Sequence, residues 1–256
     1  MTRLIAVANQ KGGVGKTTTV VNLGVVLSQM EKRTLLVDLD PQGALSTGLG
    51  IDGAGLEQTI YTALIDPEFS VERVTYPIQA GLDLIPANIE LASAELELIG
   101  EIRREYILRR VLKPVEPYYD FILIDCPPSL GLLTVNALCA GQEVLIPMQC
   151  EYFAMRGLRL LIEAIEKVKA RLNPELTVCG ILATMYSTGT IHAREVLEEV
   201  RSVFGPQVFD VVIHKSIRFA EASVANQALV QYADTHKGAE AYRRLAREVV
   251  ARGERK

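Results

Sequence analysis

The chain has 256 residues, 49% of them apolar and 23% charged, with a formal net charge of −4. That length and balance suit one large α/β domain with a buried core, taken here as residues 1–256, and exclude a disordered or low-complexity chain. An acidic whole excludes general attraction to nucleic acid, so any such binding has to come from a local basic patch or from two patches joined by dimerisation.

In chain order, residues 4–8 predict a strand. Asn9 and Gln10 interrupt its apolar run at once, which argues against an export signal. Residues 17–30 predict a helix with Val20, Leu23, Leu27 and Met30 on one face. Residues 34–38 and 82–85 read as strands, and residues 90–112 as one long charged helix. Further strands are expected at 121–125, 143–147, 178–184 and 208–213. Helices are expected near 154–172, 192–204 and 238–251. Continuous Val, Ile and Leu strands separated by helices imply a doubly wound, mostly parallel sheet with helices on both faces. Ligands of such folds sit beyond the C-terminal ends of the strands. No apolar run is long enough to span a bilayer. The cysteines, Cys126, Cys139, Cys150 and Cys179, form no CxxC pair and read as reduced, structural thiols of a cytoplasmic protein.

After the first strand comes Lys11-Gly12-Gly13-Val14-Gly15-Lys16-Thr17-Thr18. A strand, a Gly-rich loop and a helix in that order are the context of a phosphate-binding loop. Glycines let backbone N–H groups close around phosphate oxygens, and the helix N-terminus adds partial positive charge. Lys16 is placed to reach the β- and γ-phosphates of ATP, or the β-phosphate of ADP, and the Thr17 hydroxyl to ligate Mg²⁺. The plain alternative is a Gly-rich turn. Asp38 and Asp40 stand at the end of the second strand, at the ligand edge of the sheet, although Asp40 before Pro41 also suits a turn-capping role. Asp125 closes the strand Phe121-Ile122-Leu123-Ile124, where an acid serves Mg²⁺ through water.

The early lysine makes the resemblance specific. Asn9 to Thr19 resembles the deviant Walker A ATPases, a superfamily that includes ParA/Soj, MinD and the nitrogenase iron protein. The resemblance runs nearly end to end and is nearest to the short, Soj-like ParA proteins. It implies an ATP hydrolase, Mg²⁺-dependent and slow alone, in which Lys11 reaches across a homodimer to the partner's nucleotide and Gly12 lies where the two loops approach. A solvated loop lysine is the alternative for Lys11. Asp38-Leu39-Asp40-Pro41-Gln42-Gly43 resembles the family's switch I. There Asp40 orients the attacking water, and both aspartates contribute to the magnesium surroundings, some through water. Asp125-Cys126-Pro127-Pro128 resembles Walker B running into switch II. Cys126 lacks the second cysteine that an iron–sulfur cluster would need.

Further along, Pro147 to Leu158, with Glu151 in it, resembles a dimer-interface segment that touches the partner's nucleotide. Thr184-Met185 and Ile213-His214 fall where relatives hold adenine. Lys215 and Arg218, with Arg194 standing near a helix start that reads Gly189, match the basic residues that hold DNA non-specifically. A solvated surface is the alternative for these. The chain opens directly on the phosphate-loop strand, which implies no winged helix before it. The tail carries only Leu245, Val249 and Val250 as large apolar residues, so it is expected to pack on the domain and not to anchor to a membrane. The resemblance therefore implies an ATP-gated dimer for chromosome or plasmid partitioning, associated with the nucleoid when ATP-bound and stimulated by a ParB-like partner. The alternative is a MinD/ParA-type ATPase that positions a protein assembly or membrane partner without DNA.

Overall fold

The computed structural model describes residues 2–151, 154–189 and 191–254. Among these, eight strands form one sheet: β1 (Arg3–Val7), β2 (Thr34–Asp38), β3 (Tyr76–Gln79), β4 (Leu82–Ile85), β5 (Phe121–Asp125), β6 (Glu143–Gln149), β7 (Thr177–Tyr186) and β8 (Val208–His214). Their spatial order is β3-β4-β2-β5-β1-β6-β7-β8. Every pairing is parallel except β3 with β4.

Alternation along the strands feeds two cores. Leu4, Ala6, Leu35, Val37, Ile122 and Ile124 point to one face. Ile5, Val7, Leu36 and Leu123 point to the other. The second face is covered by α1 (Lys16–Gln29), α2 (Ala44–Gly48), α10 (Leu229–Tyr232) and α11 (Lys237–Glu254). The first is covered by α3 (Ile60–Ile65), α4 (Leu91–Glu97), α5 (Ile107–Leu112), α6 (Leu132–Ala140), α7 (Ala154–Arg171) and α8 (Ile191–Phe204). Buried faces on both sides explain why the strand sequences are almost wholly apolar. In α1, Val20, Leu23 and Leu27 are buried as expected, and Met30 packs at the rim. Leu245 and Val249 are fully buried on α11, so the tail packs on the domain; its last two residues, Arg255 and Lys256, lie outside the described residues.

Besides helices that fall where none is expected, α3 and α6 among them, two features differ from expectation. The strand β3 was not foreseen, because Pro77 demotes its pattern. The pairing places that proline on the sheet edge, beside a register shift, where a missing N–H is tolerated. The single helix expected over 90–112 is broken into α4, a short 3₁₀ turn at Leu98–Gly100, a second at Arg104–Tyr106, and α5. Gly100 is a poor helix residue, and Arg103 takes a left-handed φ of 58°. Buried Asn136 fixes the restart. Its side-chain oxygen accepts from Leu108 N at 3.0 Å and its amide donates to Arg104 O at 2.9 Å. Satisfied buried hydrogen bonds of this kind override a helical pattern.

The two ends of the chain are tied together. Arg3 donates from Nε and Nη2 to Glu143 Oε2 at 2.9 and 2.6 Å, and from Nη1 to Val249 O at 2.6 Å. Its guanidinium also lies 5.2 Å from the Phe121 ring centroid. Replacing Arg3 with Met keeps much of the packing and removes the countercharge of a buried carboxylate. Arg3→Met is expected to lower unfolding stability by about 3 kcal/mol in urea titration. An unchanged midpoint would show that the bridge contributes nothing net.

Candidate functional site

The site forms where β1, β2 and β5 end. Parallel register sets Val7 beside Asp125 and Asp38 beside Asp125. Two carboxylates and the loop that follows β1 are therefore brought together by strand pairing alone. The loop turns through Gly13 at φ 71° and Gly15 at φ 84°. A side chain at either would strain the backbone. Gly15 takes the N-cap position of α1, and no side chain caps that helix end. Such an end suits an anion. Thr184 on β7 braces the loop by donating from Oγ1 to Val14 O at 2.8 Å. Asn9 Nδ2 donates to Pro147 O at 2.7 Å, tying the loop's entry to β6.

Lys16 is buried at the start of α1. Thr17 Oγ1 donates to Asp125 Oδ2 at 2.7 Å. The other oxygen, Asp125 Oδ1, is buried and has no hydrogen-bond partner. An orphaned carboxylate oxygen in a native site calls for an ion or a water. Thr17, Asp125 and the nearby Asp38 are hard oxygen donors of the kind Mg²⁺ takes, so the residues fit that ion. Burial, followed by the charge of Asp38, pushes the Asp125 carboxyl well above the carboxylate range, and the Thr17 bond and Lys16 only partly counter it. Asp38 is pushed up to about 6, chiefly by burial. It is held by Ser46, whose N and Oγ donate to Oδ2 at 2.9 and 2.7 Å.

Asp40 is half-exposed at the rim. Its Oδ1 accepts from Gln42 N at 3.0 Å, the turn-capping geometry, and its own N donates to Asp38 Oδ1 at 3.2 Å, which sets it beside that buried acid. Lys11 and Glu151 meet in an ion pair within the one chain, each about half exposed. Gly12 sits exposed at the loop tip, its α-carbon facing Pro128. Of the interface segment that carries Glu151, Tyr152 and Phe153 lie outside the described residues.

Beside the loop opens a cavity of about 280 Å³, lined by Gly15, Thr18, Thr184, Met185, Ile213 and His214, among others. The strand-end residues singled out from the sequence thus line one space with the phosphate loop. Met185 holds a left-handed φ of 49° at the mouth. His214 packs edge-on to Tyr186 at 5.5 Å. Lys215 lines the same cavity, so its charge faces both this space and solvent. Arg218, on α9 (Arg218–Val224), is exposed and bonded to Glu221 at 2.7 Å, and Arg194 is exposed on α8.

Sequence reasoning missed Ser46, Tyr242 and Asn22. Ser46 lies eight positions beyond Asp38, past a turn at Gly43, with no short spacing to mark it. Tyr242 reaches Thr19 at 3.3 Å across 223 residues. Asn22 accepts from Val230 N at 3.2 Å. The four cysteines are all buried, and burial raises the Cys126, Cys139 and Cys150 thiols, the last to about 11. Among the described residues no helix is long and apolar enough to cross a membrane.

Comparison with known proteins decides the family. A family model described as an AAA domain matches residues 2–178. The sporulation initiation inhibitor protein Soj of Bacillus subtilis is 47% identical over 253 residues, which cover 99% of this chain and 100% of Soj. This chain belongs to the ParA/Soj family of partitioning ATPases. Another relative is the chromosome partitioning protein ParA of Myxococcus xanthus, 46% identical over 98% of this chain and 88% of that one. A solved structure from Mycobacterium smegmatis, named cobyrinic acid a,c-diamide synthase and holding an ATP analog and magnesium, superposes with a TM-score of 0.88 at 38% identity. It covers 99% of this chain and 96% of that one. The ParA/Soj fold therefore accounts for the whole sheet and not only the loop.

The raised Asp38 group yields a pH prediction. Its folded value, about 6, exceeds the ordinary 3.8. As pH rises the unfolded chain gives up this proton first, so the group's contribution to stability falls between about 4 and 6. Asp38→Asn is expected to stabilise the ligand-free protein by about 1 to 3 kcal/mol at pH 8, with the difference vanishing towards pH 4. Thermal denaturation across pH measures it, and a variant less stable than wild type at pH 8 contradicts the assignment.

Proposed function

We propose that this chain is a partitioning ATPase that hydrolyses ATP at this site and acts as an ATP-gated homodimer in the cytoplasm. The carrying observation is the constellation of buried Lys16, Asp38 and Asp125 with half-buried Thr17, one carboxylate oxygen being left unpartnered. A bound Mg²⁺ would supply charge neutralisation for the β- and γ-phosphates. In this reading Gly12, Gly13, Val14, Gly15 and Thr18 present backbone N–H groups to the phosphates, and Lys16 fixes a charge on them. Thr17 and Asp125 position the metal side, with Asp38 behind them. Asp40, on the rim, orients the attacking water and takes no part in holding the nucleotide. Adenine lies against Met185 and Ile213. Lys11 leaves Glu151 to contact the partner's nucleotide, and Glu151 is then free to do the same. Loss of the γ-phosphate removes what joins the two subunits.

Lys16→Ala is expected to reduce ATP affinity and turnover by about a hundredfold or more, since a fixed charge on the phosphates is lost. Asp40→Ala should bind ATP normally, turn over poorly and accumulate as dimer. Isothermal titration, phosphate release and size-exclusion separate the two. A Lys16→Ala protein with normal turnover refutes the site.

Lys11→Ala should keep monomeric ATP affinity and lose the ATP-dependent dimer, because a residue that reaches the partner contributes only when two subunits meet. Light scattering with ATP reads this directly. Equal dimerisation of variant and wild type makes Lys11 a loop residue that serves only its pair with Glu151.

The partitioning reading adds non-specific duplex DNA as a ligand and a ParB-like protein as the stimulating partner. Lys215, Arg218 and Arg194 are the candidate DNA contacts, shown twice by a dimer. The pairing of Arg218 with Glu221 favours the second reading, a positioning ATPase that holds no DNA, since it blunts the patch. Titration of the ATP dimer with duplex DNA chooses between them. The first reading expects binding that falls steeply as salt rises and drops about tenfold in Arg218→Glu. No binding at low salt by a confirmed dimer leaves the second.

A further inference from the structure

In an acidic chain, the stretch from Arg103 to Lys113 gathers Arg103, Arg104, Arg109, Arg110 and Lys113 around a single acid, Glu105. That acid is taken by Arg104, whose Nε lies 3.3 Å from Glu105 Oε1. The other four cations are exposed and, with Tyr106, line one open concavity of about 540 Å³. No acid lines it. Among the described residues none of the four forms an ion pair. Arg109 and Lys113 stand four positions apart and Arg110 and Lys113 three, spacings at which like charges on a helix repel. The last turn of a helix welcomes cations. That accounts for the three at the end of α5 and leaves out Arg103, which precedes the helix. Arg103 also holds a left-handed φ of 58°, a conformation that costs an arginine energy and that functional sites concentrate.

The backbone beneath these cations is pinned. Tyr106 N donates to Arg103 O at 2.9 Å, and Tyr106 Oη donates to Leu172 O at 2.9 Å. Asn136 holds Arg104 O and Leu108 N from the other side. A ligand would therefore meet charges carried on a fixed frame, which lowers the cost of ordering them. Leu172 follows α7 and shortly precedes β7, so the concavity lies towards the end of the sheet where strands begin. The phosphate loop, Lys215 and Arg218 follow strand ends, at the opposite edge.

Chemistry narrows the ligand. Guanidinium forks match phosphate oxygens in pairs. A phosphomonoester carries about −1.5 to −2 at pH 7, so matching four cations takes more than one. The concavity falls within the range of about 300 to 1,000 Å³ that small ligands occupy. Ile102, next to Arg103, is 91% exposed. A free anion leaves that side chain in water, whereas a lipid surface takes it up. The shared chemistry is a cluster of phosphates, from a free polyphosphate or from lipid headgroups.

We propose that Arg103, Arg109, Arg110 and Lys113 form a second anion site, for a ligand bearing two or more phosphates, separate from the nucleotide site. The probe is inorganic tripolyphosphate without magnesium, titrated calorimetrically at low salt into the full chain. Because the phosphate loop also takes phosphates, wild type and Lys16→Ala are compared. Binding is expected to survive Lys16→Ala and to weaken at least about tenfold in Arg109→Ser/Arg110→Ser. Arg103→Gly should melt no lower than wild type, since glycine takes the left-handed φ freely, and should still bind more weakly. Vesicles of phosphatidylcholine with and without phosphatidic acid separate the two sources. Co-sedimentation that needs phosphatidic acid and is lost in Ile102→Ser, with tripolyphosphate binding kept, assigns the headgroup. Tripolyphosphate binding without vesicle binding assigns a free polyphosphate. Binding lost in Lys16→Ala and kept in both arginine variants places every phosphate at the loop and overturns the second site. Absence of tripolyphosphate binding, with duplex DNA bound by wild type and released by Arg109→Ser/Arg110→Ser, makes the surface one for nucleic acid and overturns it too.

Discussion

Everything at the site depends on two carboxylates placed side by side in the protein interior. Asp38 and Asp125 are register partners at the ends of neighbouring parallel strands, and both are buried. Acids so placed lose hydration and feel neighbouring negative charge, Asp38 that of Asp40 and Asp125 that of Asp38, which is why both are pushed toward the neutral form. Their arrangement is unfavourable for the chain alone and becomes favourable when positive charge arrives. Lys16 supplies part of that charge from the helix end, and Ser46 and Thr17 supply hydrogen bonds. The remaining deficit is a local instability held in readiness for a cationic ligand, as functional sites commonly hold it.

The surroundings serve to keep those acids fixed. β2 and β5 are buried at every residue, so neither strand end can slide without moving both cores. The phosphate loop is braced from the far side by Thr184 and Asn9. The rim is different in kind. Asp40, Lys11 and Glu151 are half-exposed, and their partners are a turn amide or each other. A rigid floor and an adjustable rim suit a site that holds its ligand with one set of residues and senses it with another.

Much of this was legible in the sequence because short spacing carries it. Lys16 and Thr17 are read from six neighbouring positions, and Asp125 from the apolar run before it. The strand count fell short by β3, since a proline in a four-residue edge strand erases the pattern. The helix over 90–112 was over-read because charge and propensity look continuous there, while the break is imposed by Asn136, a residue some thirty positions away. Ser46, Tyr242 and Asn22 escaped for the same reason: each acts through a contact that only the folded sheet creates.

The bridge from Arg3 to Val249 and the contact of Tyr242 with Thr19 join the first strand and the phosphate-loop helix to the last helix of the chain. During synthesis β1 and α1 emerge before α11, yet the apolar side of α1 is covered by α11. Until α11 clears the ribosome, that side has only the sheet to pack against, and the nascent chain exposes Leu23, Leu27 and their neighbours to other molecules. The candidate loop and its helix are thus translated well before the helix that covers them. A stop codon at the start of α11 would leave every candidate site residue in place in a chain that chaperones would have to hold.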